Sequence, residues 1–242
     1  YDFDELVTED IPAVIAAVCY YTGSQKVQWV GHSMGAASML AFLSTDARVY
    51  GQENAGFCDG AWRPLPPNAV VSVVALGGFM PLNTTNKGYH IAAHAYLDVL
   101  VDLILDKVPL RLLANIVNDR PEIAGPVSTK LFCQFAQWVR AKNETDKLGW
   151  FKPTLNAKVN SWWAMFNPNM PGGNNVEIPV SFGAGDLDTS APIASSMTAY
   201  NALVGPKDYK IFYGYNHGDL IFGANAHIDI FPWVEAELLE YA

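Results

Sequence analysis

Ser33 stands at the centre of a Gly-x-Ser-x-Gly pentapeptide, residues 31–35. The pentapeptide directly follows an apolar run at residues 27–30 and precedes a stretch of mostly small and apolar residues at 36–44. This order is typical of a nucleophile elbow, a sharp strand-to-helix turn that exposes the serine hydroxyl at the carboxyl end of the strand. Both glycines are expected to leave room for the neighbouring strand and helix. The pattern therefore predicts nucleophilic catalysis by Ser33.

A serine hydroxyl needs a general base, and that base needs a carboxylate to orient it. Both side chains follow later in the chain. A predicted strand at residues 177–181 runs into a loop that contains Asp188, and the last predicted strand, residues 209–213, runs into a loop that contains His217. Because the carboxyl ends of parallel strands meet at one edge of a sheet, we expect Ser33, Asp188 and His217 to lie together there. The chain order Ser, Asp, His predicts a catalytic triad of these three residues.

Two aspartates compete for the orienting role. Asp188 lies three residues after Gly185 and four before Pro192, a spacing that often follows the penultimate strand in such hydrolases. A turn tight enough to need Gly185 aims the residue beyond it back toward the histidine, which favours Asp188. Asp186 lies nearer the end of the strand and is expected to be a turn or cap residue, although it stays the alternative.

The other histidines are given structural roles. His32 lies inside the elbow and is expected to face away from the site, as a packed or partly exposed side chain. His90 and His94 are four residues apart on a predicted helix, a spacing that can hold a metal. Because no third ligand lies nearby in the sequence, we expect surface histidines and no metal. His227 is expected to lie on the terminal helix as a structural residue.

The segments that carry the predicted site resemble the acid lipases, the α/β hydrolases that include gastric lipase and lysosomal acid lipase. The matching residues are Gly31-His32-Ser33-x-Gly35 and Tyr215-Asn216-His217-x-Asp219-Leu220-Ile221. The family usually has glutamine at the position of Met34. The resemblance implies an α/β-hydrolase fold and neutral lipid esters as substrates, such as triacylglycerols or sterol esters. No cofactor is expected.

The elements that must position the triad divide the chain into three parts. Residues 1–81 form the first part of the hydrolase core, with a helix at 4–21, the elbow strand and a strand at 69–76. Residues 82–175 are rich in aromatic side chains at helical spacing and are predicted to form a helical cap between strands six and seven. Residues 176–242 return to the core and carry the Asp188 and His217 loops. The predicted fold class is α/β, with a partial, mostly parallel sheet.

Two expectations depend on the position of the elbow and on the cap. In a complete α/β hydrolase the elbow follows the fifth strand. We therefore expect a second polypeptide, either the cleaved N-terminal half of the same precursor or a separate subunit, to supply the first strands and to pack against residues 27–30. One oxyanion-hole N–H is then provided by the Met34 backbone, and the other by a loop outside this chain. In the cap, Trp162 and Trp163 are expected to influence the preference for acyl-chain length.

The charge of the chain disfavours two classes of partner. The 242 residues include 15 Lys+Arg and 24 Asp+Glu, which gives a net charge of −9. This charge disfavours nucleic acid and anionic membrane surfaces as partners. Residues 96–117 form the longest apolar region, but aspartates at four-residue intervals place charge on one face, so an amphipathic helix is predicted there rather than a stable membrane span.

The cysteines and the N-glycosylation sequons bear on the cellular compartment of the protein. Three cysteines cannot all pair within the chain, while the sequons at Asn83 and Asn143 indicate a secreted or lysosomal location.

Besides a lipase, the pattern of predicted catalytic residues is compatible with a small-ester or thioester hydrolase. It is also compatible with a non-enzymatic assembly subunit that kept the triad. A covalent serine probe distinguishes the last alternative, because only an activated serine reacts.

Overall fold

Most of the described residues belong to the first and last parts of the chain. The computed structural model describes residues 2–44, 56–58, 60–63, 65–66, 68–80, 84–85, 87, 107–109, 126–128, 131, 134–136, 138–139, 168 and 176–242. The prediction that residues 82–175 form a helical cap therefore falls mainly outside the described residues, as do Trp162 and Trp163. Both stay predictions.

The described strands form a parallel four-stranded sheet and two small antiparallel ribbons. The strands are β1 (Val27–His32), β2 (Gly56–Cys58), β3 (Ala61–Arg63), β4 (Val70–Leu76), β5 (Lys107–Pro109), β6 (Pro126–Ser128), β7 (Val180–Gly185) and β8 (Lys207–Phe212). The central sheet has the order β1-β4-β7-β8, and all three of its pairings are parallel. The antiparallel pairs β2–β3 and β5–β6 form the ribbons.

Strand β4 is buried on both faces of the sheet. Val73 and Ala75 belong to one hydrophobic cluster, while Val74 and Leu76 belong to the other. A strand covered on both faces must be apolar at nearly every position, and the sequence Val-Val-Ser-Val-Val-Ala-Leu meets this requirement. Helices therefore pack on both sides of the sheet.

Residues 87, 131, 134–136 and 138–139 are helical in helices whose limits are not described, and seven helices with described limits accompany the sheet. They are α1 (Phe3–Glu5), α2 (Ile11–Thr22), α3 (Met34–Ser44), α4 (Ile193–Ala202), α5 (Asp219–Phe222), α6 (Ala226–Asp229) and α7 (Phe231–Glu240). A π-helical turn, Leu6–Asp10, joins α1 to α2. Helices α2, α3 and α4 contribute to the cluster on one face, and α5 to α7 contribute to the cluster on the other.

Polar contacts fix α7 against the sheet. The Gln28 side-chain amide donates to Ser72 Oγ at 3.0 Å and to the Leu238 carbonyl at 2.7 Å. Ser181 Oγ donates to the buried Glu237 carboxylate at 2.5 Å. Buried polar groups are costly unless they are hydrogen-bonded, so these contacts favour one register of α7 on the strands.

The four strands and the first helix predicted for the core are present, with shifted limits. The strand predicted at residues 177–181 begins later and continues through its glycines to Gly185, as β7. The helix predicted at 4–21 is interrupted by the π-helical turn and ends at Thr22. The amphipathic helix predicted at 96–117 is wrong at Lys107–Pro109, which pair as a strand, and its remainder lies outside the described residues.

Strand β1 is one of the two edges of the central sheet among the described strands, and β8 is the other. Its inner neighbour is β4, and the side chain of Val30 on β1 is 47% exposed, whereas its partner in the register, Val74, is 1% exposed. An unpaired strand edge with exposed apolar side chains is a place where another strand can pair. The second polypeptide predicted there stays a prediction. No helix in the described part of the chain combines the length and apolarity needed to cross a bilayer.

Candidate active site

Ser33 occupies a strained turn between β1 and α3. Its φ is 56°, in the left-handed region that residues with a side chain rarely adopt. The turn is held because the Ser33 N–H donates to the Leu76 carbonyl at 2.9 Å, and the Ser33 carbonyl accepts from the Ala37 N–H at 3.0 Å as α3 begins. Strain that the surroundings enforce is a frequent property of functional sites. This backbone matches the predicted nucleophile elbow.

The two glycines of the pentapeptide differ in their steric role. A Cβ on Gly31 would lie 2.7 Å from both the Gly35 carbonyl oxygen and the Ala36 nitrogen, which are backbone atoms that cannot turn aside. A Cβ on Gly35 would meet nothing within 4 Å. The expectation that both glycines make room for their surroundings is therefore right for Gly31 and wrong for Gly35.

We expect Gly31→Ala to destabilise the fold by about 1–3 kcal/mol, since the added methyl overlaps backbone atoms of the turn. Gly35→Ala is the matched control and should be neutral or slightly stabilising, because Gly35 lies in α3 and alanine favours helix. Urea unfolding of the two variants measures the difference. Equal stability of the two proteins would contradict the steric role of Gly31.

The three predicted side chains lie in one hydrogen-bonded line. His217 Nε2 is 2.7 Å from Ser33 Oγ, and His217 Nδ1 is 2.7 Å from Asp188 Oδ2. The His217 side chain is 13% exposed, and the Asp188 side chain is fully buried. Because a carboxylate only accepts, Nδ1 carries the proton and Nε2 is left to accept from the serine hydroxyl. The arrangement is the one that a serine nucleophile with a histidine base requires.

Local hydrogen bonds orient the Asp188 carboxylate. Its second oxygen, Oδ1, accepts from the Ser190 N–H at 2.9 Å and from the Ala191 N–H at 2.8 Å. The Asp188 N–H itself donates to the Gly185 carbonyl at 3.3 Å and closes the turn after β7. With Oδ1 occupied by two donors, Oδ2 faces His217. The structure therefore brings Asp188, and not Asp186, to the histidine.

Asp186 binds the loop that carries His217. This side chain is exposed, and its Oδ1 accepts from the Gly214 N–H at 2.6 Å. The next N–H, from Leu187, donates to the Tyr215 carbonyl at 3.1 Å. Asp186 is thus a residue of the turn, as expected, and joins the loop after β7 to the loop after β8.

Further contacts stiffen the loop around His217. Asn216 and Asp219 form reciprocal bonds: the Asn216 N–H donates to Asp219 Oδ2 at 3.2 Å, and the Asp219 N–H donates to Asn216 Oδ1 at 3.0 Å. The Tyr215 hydroxyl donates to Asp229 Oδ2 at 2.5 Å. This hydrogen bond is the main reason that the pKa of Tyr215 is raised to about 12. Tyr215 therefore stays a donor at every physiological pH.

His32 contacts the site, so the expectation that it faces away is wrong. Its Nε2 lies 2.9 Å from the main-chain carbonyl oxygen of His217, and the centroids of the two rings are 4.7 Å apart with a 39° tilt. The only sequence signal for this contact was the position of His32 next to Ser33. That signal does not say which way the ring points.

The backbone N–H of Met34 is the predicted oxyanion donor. Met34 is the first residue of α3, directly after Ser33, and the first N–H groups of a helix have no partner within it. They lie at the positive end of the helix dipole, which favours negative charge.

The remaining histidines give no metal site among the residues that can be described. His90 and His94 lie outside them, and His227 is an exposed residue of α6. Within the described ranges there is no group of three or more His, Cys, Asp or Glu side chains that could hold a metal ion. Cys19 is a free, buried thiol whose pKa burial raises.

The chain is similar in sequence to curated lipases. It is 25% identical to "Tear acid lipase-like protein" of Mesocricetus auratus, over 94% of this chain and 61% of that protein. It is 25% identical to "Lipase 3" of Drosophila melanogaster, over 98% of this chain and 66% of that protein. The chain thus spans about three fifths to two thirds of these relatives. No family model matches. The names support the resemblance to the acid lipases.

Solved structures support the fold. "Alpha/beta hydrolase GrgF" from Penicillium sp. sh18 is 12% identical, with a TM-score of 0.52 over all of this chain and 73% of that chain. "DcsB", in complex with a substrate analogue, is 11% identical, with a TM-score of 0.55 over 97% of this chain and 72% of that chain. Together with the parallel sheet and its helices, these likenesses show an α/β-hydrolase fold.

Proposed function

We propose that this chain carries the catalytic site of a serine ester hydrolase that acts on neutral lipid esters, such as triacylglycerols or sterol esters. The observation that carries the proposal is the pair of 2.7 Å contacts that joins Ser33 Oγ, the His217 ring and the Asp188 carboxylate. Ser33 is the nucleophile, His217 the general base and acid, and Asp188 the group that orients His217.

In acylation, Ser33 Oγ attacks the ester carbonyl carbon while its proton passes to His217 Nε2. The carbonyl π electrons move to the oxygen, and the oxyanion that forms is stabilised by the Met34 N–H. The tetrahedral intermediate then collapses, the bond to the alcohol oxygen breaks, and the leaving alcohol takes the proton from His217. The buried Asp188 carboxylate stabilises the imidazolium during both steps.

In deacylation, water replaces the alcohol. His217 Nε2 takes a proton from the water as the water oxygen attacks the acyl carbon, and a second tetrahedral oxyanion forms. The bond to Ser33 Oγ breaks, and the serine recovers its proton from His217. The products are a fatty acid and the alcohol, and the site returns to its starting state without a cofactor.

Two observations support a lipid substrate. The curated relatives carry the names of lipases. In addition, three large apolar side chains in the segments that hold the site are exposed: Leu187, next to Asp188, at 58%, Tyr213 at 77% and Phe222 at 52%. Apolar side chains exposed in the segments that carry Asp188 and His217 suit a substrate with long acyl chains. The sequons at Asn83 and Asn143 and the acid lipase relative support a secreted or lysosomal location.

Covalent labelling and a chain-length series test the proposed function. The purified protein is treated with a fluorophosphonate probe, and the labelled peptide is identified by mass spectrometry. We expect the label on Ser33, because only a serine activated by a neighbouring base reacts. Turnover of p-nitrophenyl esters of increasing acyl length should then rise from acetate toward long chains.

Each alternative gives a different result. Labelling of Ser33 with hydrolysis of short esters alone would favour a small-ester hydrolase and overturn the lipid substrate. A protein that remains unlabelled and hydrolyses no ester would favour a non-enzymatic subunit and overturn the whole proposal. Heat-unfolded protein is the control for non-specific reaction of the probe.

A further inference from the structure

We propose that His32 is a positioning residue, which holds the general base in place through a hydrogen bond to the main chain of His217. This inference rests on the proposed function, since it concerns the same site. Its basis is the 2.9 Å contact between His32 Nε2 and the His217 carbonyl oxygen, together with the contact between the two rings. His32 reaches no reacting atom and acts through His217.

The chemistry of the contact determines the state of the His32 ring. A main-chain carbonyl oxygen can only accept a hydrogen bond, so His32 Nε2 must carry the proton and donate. The hydrogen bond thereby fixes the orientation of the His32 ring as well as that of the His217 carbonyl. The rings contact each other at 4.7 Å between centroids, so His32 also limits the space through which the His217 ring can turn.

The position of His32 in the chain gives this hydrogen bond its effect. His32 is the last residue of β1 and is bonded directly to Ser33, whereas His217 belongs to a loop 185 residues later. The hydrogen bond therefore joins the side chain of the residue before the nucleophile to the backbone of the general base. It adds to the contacts that the loop after β7 makes with the histidine loop, through Asp186, Leu187 and Asp188, and so further constrains the distance from Ser33 Oγ to His217 Nε2.

The space around the His217 ring is also limited at Gly77. A Cβ placed on Gly77, just beyond the end of β4, would lie 3.1 Å from His217 Nδ1. The imidazole thus leaves little room for a side chain at Gly77 and packs against the ring of His32, with its two nitrogens directed to Ser33 and Asp188. A misplacement of about 1 Å in such a site can cost a factor of 10² in rate.

Three variants separate the donor from the ring. His32→Phe keeps an aromatic ring of similar size but removes the N–H. His32→Gln removes the ring but can place an amide N–H at a similar reach from the backbone. His32→Ala removes both and serves if the phenylalanine variant does not fold. Thermal unfolding of each variant identifies any loss of activity that comes from loss of folded protein.

We expect His32→Phe and His32→Ala to lower kcat for a short ester by about 10- to 100-fold, with KM changed less than 3-fold. His32→Gln should recover kcat to within about 5-fold of the unsubstituted protein. A phenylalanine variant with unchanged kcat would overturn the proposal. A glutamine variant that loses as much activity as the phenylalanine variant would overturn it too, because the hydrogen bond would then not be the cause.

A second measurement does not depend on turnover. The proton on His217 Nδ1, in its bond to Asp188, gives a strongly deshielded NMR signal that His217→Ala identifies by its loss. We expect this signal to be sharp in the unsubstituted protein and in His32→Gln, and to broaden or disappear in His32→Phe. If the unsubstituted protein neither hydrolyses esters nor labels with the probe, the proposed function fails, yet this signal still decides whether His32 positions His217. A signal unchanged in His32→Phe would overturn the positioning role.

Discussion

Replacing Ser33 with alanine is expected to lower kcat for ester hydrolysis by a factor on the order of 10⁴ or more while the protein stays folded. The alanine variant has no nucleophile, although the N–H of Met34 can still interact with a bound ester. His217→Ala should cause a loss of the same order, because the serine, at 2.7 Å from the histidine, then has no base. Members of a triad act as a unit, so the double variant should lose little more than either single one.

Ser24→Ala is the matched control for this pair. Ser24 is an exposed serine in the turn before β1, at the opposite end of the strand from Ser33. Its replacement tests whether any serine-to-alanine change disturbs the assay, and its kcat should stay within about 2-fold of the unsubstituted protein. Initial rates with a short p-nitrophenyl ester provide the measurement. Near-native hydrolysis by purified Ser33→Ala would show that the assigned nucleophile is wrong.

The three side chains of the proposed triad could be found from the sequence because local rules place each of them. Ser33 lies in a pentapeptide whose glycine at position 31 is required by backbone atoms. Asp188 and His217 each follow a strand, and in a parallel sheet the strand ends that they follow lie at one edge. Spacing also separated Asp188 from Asp186. These signals depend on neighbours in sequence and on general sheet geometry, which a sequence carries.

The contact of His32 could not be found in this way. It depends on the path of a loop 185 residues later in the chain, which brings the His217 carbonyl to within 2.9 Å of the His32 ring. Nothing in the residues around His32 encodes that path. Long-range contacts of this kind depend on packing, and a single sequence gives no direct signal for them.

The end of β7 was predicted too early for a related reason. Gly183 and Gly185 favour a turn when they are considered locally, so the strand was expected to end before them. In the structure their backbone pairs with Lys210 and Phe212 of β8, and the pairing extends the strand to Gly185. Tertiary pairing thus overrides local preference. The same applies to Lys107–Pro109, where pairing with Pro126–Ser128 replaces the predicted helix.

Asp188→Asn is expected to lower kcat by roughly 10⁴-fold, as the corresponding change does in serine protease triads. The reason lies in the two N–H groups of Ser190 and Ala191, which donate to Asp188 Oδ1. In the asparagine variant these donors still need an acceptor, so they hold the amide oxygen and turn the NH₂ group toward His217 Nδ1. That nitrogen must then accept, the proton moves to Nε2, and His217 can no longer take a proton from Ser33.

Asp186→Asn is the matched control for that result. It makes the same carboxylate-to-amide change two residues away, but an asparagine oxygen can still accept from the Gly214 N–H that Asp186 binds at 2.6 Å. We therefore expect kcat within about 5-fold of the unsubstituted protein and an intact histidine loop. Rates with a short ester, together with thermal unfolding of both variants, separate catalysis from stability. If Asp186→Asn lost more activity than Asp188→Asn, the orienting role would belong to Asp186, and the buried Asp188 carboxylate would instead be a structural group that closes the turn after β7.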